Sequence, residues 1–370
     1  MIIHSSFAIM TFMPNRSKEM GANDLNAGIR RGIEFLRRSQ LPSGEFKVFM
    51  SPSLSLDRDC VFDSSPFPAA LIAYSLGFAK PAEVKDILDK ALRFLLDEMD
   101  GAGLWHYWPK RRQSPAMIPP DLDDTCCASY VLRRHGIPFP PNERLIFANR
   151  TPEGLFYTWM TTRWPLPRLL SYWRVVLLRQ WLHPLRMYYF WKLVPEASRH
   201  DVDAVIEANV LFYLGERPET QPIIEYFIRV LRRGEEDCCD RWYLNRFMFY
   251  YAVSRNFHAG VAALGEVRDE SIARIVGAAK PDGTIGDGIL NTALAACALL
   301  YWGSSTPALE CAIHLLLTEQ RADGSWPRAA LYYSGPKKLY AWGSEELTTG
   351  FCLEALLRYR ITCCASETNP

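Results

Sequence analysis

The segment Pro119-Pro-Asp121-Leu-Asp123-Asp124 sets three carboxylates side by side. Two prolines cannot continue a helix, and an aspartate directly after them is a good N-cap. Asp123 and Asp124 then fall in the first helical turn. The positive end of a helix stabilises anions and lowers their pKa. Mutual repulsion in a dry pocket acts in the opposite sense and makes at least one carboxyl keep its proton. If the turn faces an apolar cavity, one member is a neutral carboxylic acid at neutral pH, able to donate a proton. A capped, solvated acidic turn is the plain alternative. The next residues, Thr125-Cys-Cys-Ala-Ser-Tyr130, read as a buried helix and favour the cavity.

The elements that must hold this turn recur along the chain. A glycine followed two residues later by an aromatic ends Gln40-Leu-Pro-Ser-Gly44-Glu-Phe46 and Gln320-Arg-Ala-Asp-Gly324-Ser-Trp326. Gly103-Leu-Trp105 and Gly154-Leu-Phe156 are partial copies, and Pro281-Asp-Gly283-Thr-Ile285 is a degenerate one. Compact apolar helices are expected over 63–77, 121–136, 201–215, 241–256, 287–303 and 344–360. Each is preceded by an amphipathic segment, near 25–40, 82–99, 142–192 (broken), 218–233, 268–279 and 306–320. In the last of these Leu309, Ala312, Ile313 and Leu316 share one face. A one-sided helix buries one stripe; a helix apolar all round must be covered on both sides. The expectation is an all-α fold, a single (α/α)6 barrel of six inner and six outer helices, over 23–362. A loose tail precedes it (1–22) and a short one comes after it (363–370). A stacked solenoid is the alternative, but bulky aromatics on the inner helices suit a closed ring. No stretch alternates long enough for a strand, and no linker divides the chain.

Composition agrees with one large core. The chain has 370 residues, 49% apolar and 22% charged, which excludes disorder as its main state. Its net charge of +1 excludes a nucleic-acid binder held by bulk charge. Aromatics reach 13%, with 11 Trp, enough for a thick core or an aromatic-walled cavity. The ten cysteines include three adjacent pairs and no C-x-x-C, the pattern of reduced, mostly buried thiols. Met1–Met20 lacks the basic start and cleavage site of a signal peptide. No apolar run approaches the ~20 residues that span a bilayer. A cytoplasmic protein is expected, with peripheral membrane contact as an option.

PPDLDDTCCASY resembles the Asp-x-Asp-Asp-Thr-Ala segment of squalene-hopene cyclases and other class II terpene cyclases. QRADGSW (320–326) is similar to their Gln-Trp motif, and WGSEELTTGFCLEAL (342–356) to their last barrel helix. DVDAVIEANVLFYLG (201–215) and RWYLNRFMFYYAVSRN (241–256) look like the short, single-barrel bacterial members, the monodomain meroterpenoid cyclases. The resemblance covers roughly 25–360, about half the length of the two-barrel members. It implies protonation of a terminal alkene or epoxide of a linear polyprenyl substrate, then cation-driven closure to fused rings. It implies Asp123 as the acid, tuned by Asp121 and Asp124, with Asn209 on the inner helix as a hydrogen-bond partner. Carbocations need electron-rich walls that are not nucleophilic, which aromatic faces supply. Phe67, Trp105, Trp242, Tyr243, Phe247, Tyr251, Tyr340 and Trp342 are the expected wall; ordinary core packing is the alternative for each. The step needs no metal or other cofactor. Glu236-Asp237-Cys-Cys-Asp240 faintly resembles the Mg²⁺ motif of class I synthases, with a helix-end charge cluster as the plain reading.

From Gly154 to Pro195 there is no acid. Arg163, Arg168, Arg174, Arg179, Arg186 and Lys192 alternate there with Trp159, Trp164, Trp173, Trp181 and Trp191. Three uses stay open: a membrane interface, a site for an anionic substrate head, or an outer helix packed by its stems. Two competing functions also stay open. One is a zinc-dependent prenyltransferase-like barrel using Asp124, Cys126 and His314. The other is a non-catalytic barrel that binds a hydrophobic ligand.

Overall fold

The structure, a computed structural model, describes residues 22–114, 116–163 and 170–367. The expected N-terminal tail lies outside the described residues except for Ala22, and Trp164 and Arg168 of the basic insert lie outside them too. Helices alternate outer and inner along the chain. The pairs begin with α1 (Ala22–Ser39) and α2 (Phe67–Leu76), then α3 (Pro81–Glu98) and α4 (Leu122–Arg134). The next outer segment is broken: α5 (Glu143–Phe147), α6 (Leu170–Tyr172), a π-helical turn (Trp173–Leu177), α7 (Leu178–Leu182) and α8 (Pro184–Leu193). It leads to inner α9 (Ala204–Leu214). The rest are α10 (Gln221–Arg233) with α11 (Arg246–His258), α12 (Arg268–Gly277) with α13 (Gly288–Tyr301), and α14 (Pro307–Thr318) with α15 (Glu345–Glu367).

The inner helices close a ring: α2 packs on α4, α4 on α9, α9 on α11, α11 on α13, α13 on α15, and α15 back on α2. This is the expected (α/α)6 barrel. Patterning explains the two roles. Every residue of α2 is buried. On α10 only the stripe Ile223, Ile224, Phe227, Val230 and Leu231 is buried, and Gly234, at φ 68°, ends the helix in the left-handed region. Each such apolar side chain contributes about 1.5–3 kcal/mol on burial.

The repeated Gly-x-aromatic element ties outer helices to inner ones. Trp326 Nε1 donates to Leu316 O of α14 at 2.7 Å, and Trp105 Nε1 donates to Leu95 O of α3 at 2.8 Å, the same joint in two repeats. Gly324 sits at φ +91, and a Cβ there would lie 2.2 Å from Arg31 O, so only glycine fits. The ring's seam joins α1 to α14 and α15. At that seam a Cβ on Gly32 would come within 2.8 Å of Leu353.

A buried polar knot crosses the ring. The fully buried Glu354 accepts from Tyr301 OH (2.5 Å), Ser75 Oγ (2.9 Å), Tyr251 OH (3.1 Å) and Arg358 Nε (3.2 Å). Four inner helices are thereby linked. A buried carboxylate short of partners would cost several kcal/mol.

Two features depart from expectation. Four short strands, β1 (Phe49–Ser51), β2 (Val61–Phe62), β3 (Ala329–Tyr333) and β4 (Ala341–Ser344), form an antiparallel sheet in the order β2-β1-β4-β3. They are too short to show period-two alternation. The expected tail from 363 is helical as far as Glu367, because Ile361-Thr-Cys-Cys-Ala-Ser-Glu367 contains no Gly or Pro to stop α15. None of the ten cysteines is in a disulfide, and five of them are buried.

Candidate active site

Asp121 caps α4 as its position predicts. Its backbone is extended (φ −121, ψ 162), and its Oδ1 accepts from Asp124 N at 2.8 Å. Asp123 and Asp124 come next, in the first turn. All three carboxylates line a cavity of about 130 Å³ at the N-terminal end of the inner helices. Burial pushes Asp123 up to about 7, opposed by its bond from Tyr243. Burial raises Asp121 to about 6. Asp124 is raised well above the usual carboxylate range by burial and by the charge of Asp121, and its Oδ1 has no partner. Desolvation and repulsion thus outweigh the helix dipole, as the cavity alternative requires.

Asp123 differs from Asp124 in having donors on both oxygens. Asn209 Nδ2, on α9, donates to Asp123 Oδ1 at 2.5 Å. The Tyr243 hydroxyl bonds Asp123 Oδ2. Behind Asn209, Arg255 Nη2 of α11 donates to Asn209 Oδ1. That bond fixes the amide so that its NH2 group faces Asp123. Arg255 is buried among Tyr74, Phe212 and Tyr251, its guanidinium 5.2, 4.2 and 5.2 Å from their ring centroids. A hydroxyl both donates and accepts. Tyr243 can therefore accept from the neutral acid at Oδ2 and turn to donate once the proton has left.

Two aspartates shape the loop that delivers Tyr243. Asp203 caps α9 through Oδ1 (2.9 Å to Val205 N), while its Oδ2 accepts from Arg241 N at 2.7 Å and Trp242 N at 3.2 Å. Asp240 Oδ1 accepts from Tyr243 N at 2.9 Å. The next residue, Leu244, has φ 49°, a left-handed conformation that a bulky side chain rarely adopts and that costs of order 1–3 kcal/mol. Asp240 thus belongs to loop geometry. Its neighbours in the suspected Mg²⁺ string are also engaged within the protein: Glu236 with Arg274 and Tyr250, and Asp237 with Arg246.

Phe67, Trp242, Tyr243 and Trp342 line the cavity, as the sequence suggests. Four other expected wall residues do not. Trp105 forms the joint to outer α3. Tyr251 turns its hydroxyl to Glu354. Phe247 is buried against Tyr250 and Gly286. Tyr340 is 42% exposed on the turn between β3 and β4. Their inner-helix or motif positions give burial, and burial alone does not select the cavity. The wall is completed by Tyr107, Trp108, Ile118, Trp159, Phe190, Val194, Ile206, Tyr332 and Tyr333. Tyr332 stacks on Trp342 (centroids 6.0 Å, 14°) and shares a 3.0 Å hydroxyl contact with Tyr107. Trp342 Nε1 is anchored to Asp63 Oδ2 at 2.8 Å. A signal for Trp159 was present in its place within the aromatic insert.

Among the described residues, no Lys, Arg or His lines the cavity. An anionic substrate head therefore finds no ion-pair partner inside. Two cations of the insert are used on the flanks: Arg179 Nη1 lies 3.1 Å from His106 Nε2, and Arg163 Nη2 donates to Trp159 O at 2.7 Å. The zinc alternative does not assemble. Cys126 is buried in α4 and His314 is exposed on outer α14. Among the described residues no three His, Cys, Asp or Glu side chains are grouped to hold a metal.

No family model matches the sequence, and a search of curated proteins finds no match. Solved structures are similar in fold. The chain resembles a protein from Actinoplanes at 17% identity, with 91% of this chain and 99% of that one covered and a TM-score of 0.67. It resembles the type II terpene cyclase MstE from Scytonema at 16% identity, covering 92% and 98%, with a TM-score of 0.67. Variants of MstE have been solved with geranylgeranyl dihydroxybenzoate, its substrate, and with merosterolic acid A, its product. An unsaturated glucuronyl hydrolase specific for heparin is also similar, at 14% identity, covering 93% and 99%, with a TM-score of 0.57. The chain therefore has a helical-barrel fold like that of a type II terpene cyclase, and because a hydrolase shares it, the choice of chemistry falls to the side chains of the site.

Proposed function

We propose that the chain is a class II, protonation-initiated terpene or meroterpenoid cyclase of the monodomain kind typified by merosterolic acid synthase. It converts a linear polyprenyl substrate, including one carried on an aromatic acid, into fused rings. The observation that carries this reading is Asp123, a carboxyl raised to about 7 that opens on an aromatic cavity and has two donors ready for the charge it leaves. Asp124 is raised as well, but its Oδ1 finds no partner among the described residues. A carboxylic acid protonates an alkene only where its conjugate base is stabilised in a dry site.

In the proposed step the Asp123 Oδ2 proton goes to the terminal alkene carbon or epoxide oxygen. The resulting cation is attacked by the next double bond, each closure turning one π bond into one C–C σ bond. A proton leaves the last cation, so substrate and alkene product are isomers. Trp159, Trp242, Tyr332 and Trp342 offer ring faces to the cations, each contributing up to ~2 kcal/mol when desolvated. The likeness to MstE supports a prenylated aromatic acid as one substrate class. At about 130 Å³ the cavity is below the ~300 Å³ of ordinary ligand sites, so a long chain enters with an outward shift of the wall.

Incubation with geranylgeranyl dihydroxybenzoate and with free polyprenyl chains in D₂O tests the proposal. One deuterium per ring product, on the carbon that received the proton, is the expected result. Return of every substrate unchanged, or rings without deuterium, would refute it. The active form is the acid, so kcat/KM is expected to be flat below about 7 and to fall tenfold per pH unit above it. A profile that rises through that pH would contradict the assignment.

A further inference from the structure

A cascade that starts with one proton must end by giving one up. The group that takes it needs an oxygen in the cavity and somewhere to pass the charge. Among the described residues, the carboxylates that line the cavity all belong to the acidic turn. The other side-chain oxygens there are hydroxyls, those of Thr158, Ser334, Tyr107, Tyr243, Tyr332 and Tyr333. Tyr243 is committed to Asp123. Of the rest, only Tyr332 and Tyr107 lead to a carboxylate among the described residues.

That carboxylate is Asp63, buried just before α2 and outside the cavity wall. Tyr107 donates to Asp63 Oδ2 at 3.3 Å. A hydroxyl has one proton to give, so the 3.0 Å contact between the two tyrosines is donated by Tyr332 to the Tyr107 oxygen. The Tyr332 oxygen is left with a lone pair for the cavity. Arg112 bonds Asp63 Oδ1, and its side chain is 34% exposed, so Asp63 stands between the cavity and solvent. Burial raises both hydroxyls well above their ordinary range, which keeps them neutral at neutral pH. A neutral phenol is a poor nucleophile, but it is base enough for a carbocation, whose adjacent C–H is a very strong acid.

We propose that Tyr332 is the base that ends the cascade, with Asp63 as the final acceptor through Tyr107. This role rests on the cyclase reading and names the group that receives the departing proton. The last cation gives a C–H proton to Tyr332 Oη, and the C–H electron pair becomes the new π bond. The Tyr332 proton passes to Tyr107 Oη and the Tyr107 proton to Asp63 Oδ2, which releases it to solvent beside Arg112. The Tyr332 ring lies 6.3 Å, between centroids, from that of Tyr243, which holds Asp123. The cation it meets therefore forms close to the point of protonation. With a cavity of about 130 Å³, the product is one of few rings with a linear prenyl tail.

The test is product analysis with geranylgeranyl dihydroxybenzoate for Tyr332→Phe, Tyr107→Phe, Asp63→Asn and the double variant Tyr107→Phe/Tyr332→Phe. Phenylalanine keeps each ring face and removes only the oxygen; asparagine keeps an acceptor for Trp342 and removes the charge. In Tyr332→Phe the wild-type alkene is expected to fall about tenfold or more as a share of ring products, replaced by double-bond isomers and by alcohols from water capture. Tyr107→Phe and Asp63→Asn leave the Tyr332 oxygen in place and should give the same shift. The double variant should go no further than either single one, because members of one chain are not additive. Shifts that add would mark two separate packing roles and overturn the relay. So would a wild-type product mixture retained in Tyr332→Phe, or a wild-type product cyclised along its whole prenyl chain, whose last cation lies away from Tyr332. A wild type that forms no rings would sink the cyclase reading and the relay with it.

Discussion

Asp123→Asn is expected to lower cyclisation by roughly 10⁴-fold while leaving the barrel folded. The amide matches the carboxyl in shape. It can still accept from Asn209 at Oδ1 and donate to the Tyr243 oxygen, so the contacts at this position survive. What it lacks is a transferable proton. Stability supplies a second readout with a definite sign. The folded carboxyl titrates at about 7 against an ordinary 3.8, so between those values the folded chain holds a proton that the unfolded chain has released. The stabilisation from holding it is complete below 3.8 and is lost as pH rises through about 7. The variant has no such group. It should therefore melt above wild type at alkaline pH, with the difference closing towards acid pH. Asp124→Asn should lose far less activity, because Asp124 Oδ1 finds no donor for an anion among the described residues. If Asp124→Asn were the dead variant and Asp123→Asn retained most turnover, the two roles would be reversed.

Arg255→Met is expected to lower kcat by about 10²–10³-fold with little change in KM. Arg255 does not line the cavity; it acts through Asn209. With the guanidinium gone, nothing fixes the Asn209 amide, and a half-turn would set its oxygen against Asp123. That oxygen would favour the acid's proton on Oδ1 in place of Oδ2, and the conjugate base would lose both a donor and a nearby cation. The acid becomes weaker, so the alkaline limb of the activity profile should move up from about 7. Methionine is apolar, flexible and compatible with the three surrounding rings, which limits the structural cost. Arg255→Lys keeps the charge and should recover part of kcat. An alkaline limb that stays in place, with activity falling only as folded protein is lost, would leave Arg255 a packing residue.

Sequence reasoning reached the barrel because its signals are local. A stripe such as Leu309, Ala312, Ile313 and Leu316 states which face is covered, and an all-apolar run such as Phe67–Leu76 states that both are. The acidic turn was legible for the same reason: cap, prolines and carboxylates are neighbours in the chain. The cavity wall was not. Every residue from Phe247 to Asn256 on α11 is buried, so periodicity cannot tell which of them faces the reaction and which faces Glu354. Tyr332 reaches the wall on a five-residue strand and meets Tyr107, 225 positions away, through a hydroxyl contact that no window of sequence contains. Trp105 could have been placed correctly. It occupies the same Gly-x-aromatic position as Trp326, and that position serves the joint between helices in both.

The seam at Gly32 bears on how the protein is made. Because α1 is held by α14 and α15, the ring cannot close before α15 has left the ribosome. Until then the inner helices of the nascent chain, apolar on every side, have no complete set of neighbours. A stacked solenoid can mature one unit at a time. This cup gains its interior in one late event, and a chain stalled short of α15 would be a substrate for chaperones and no catalyst at all.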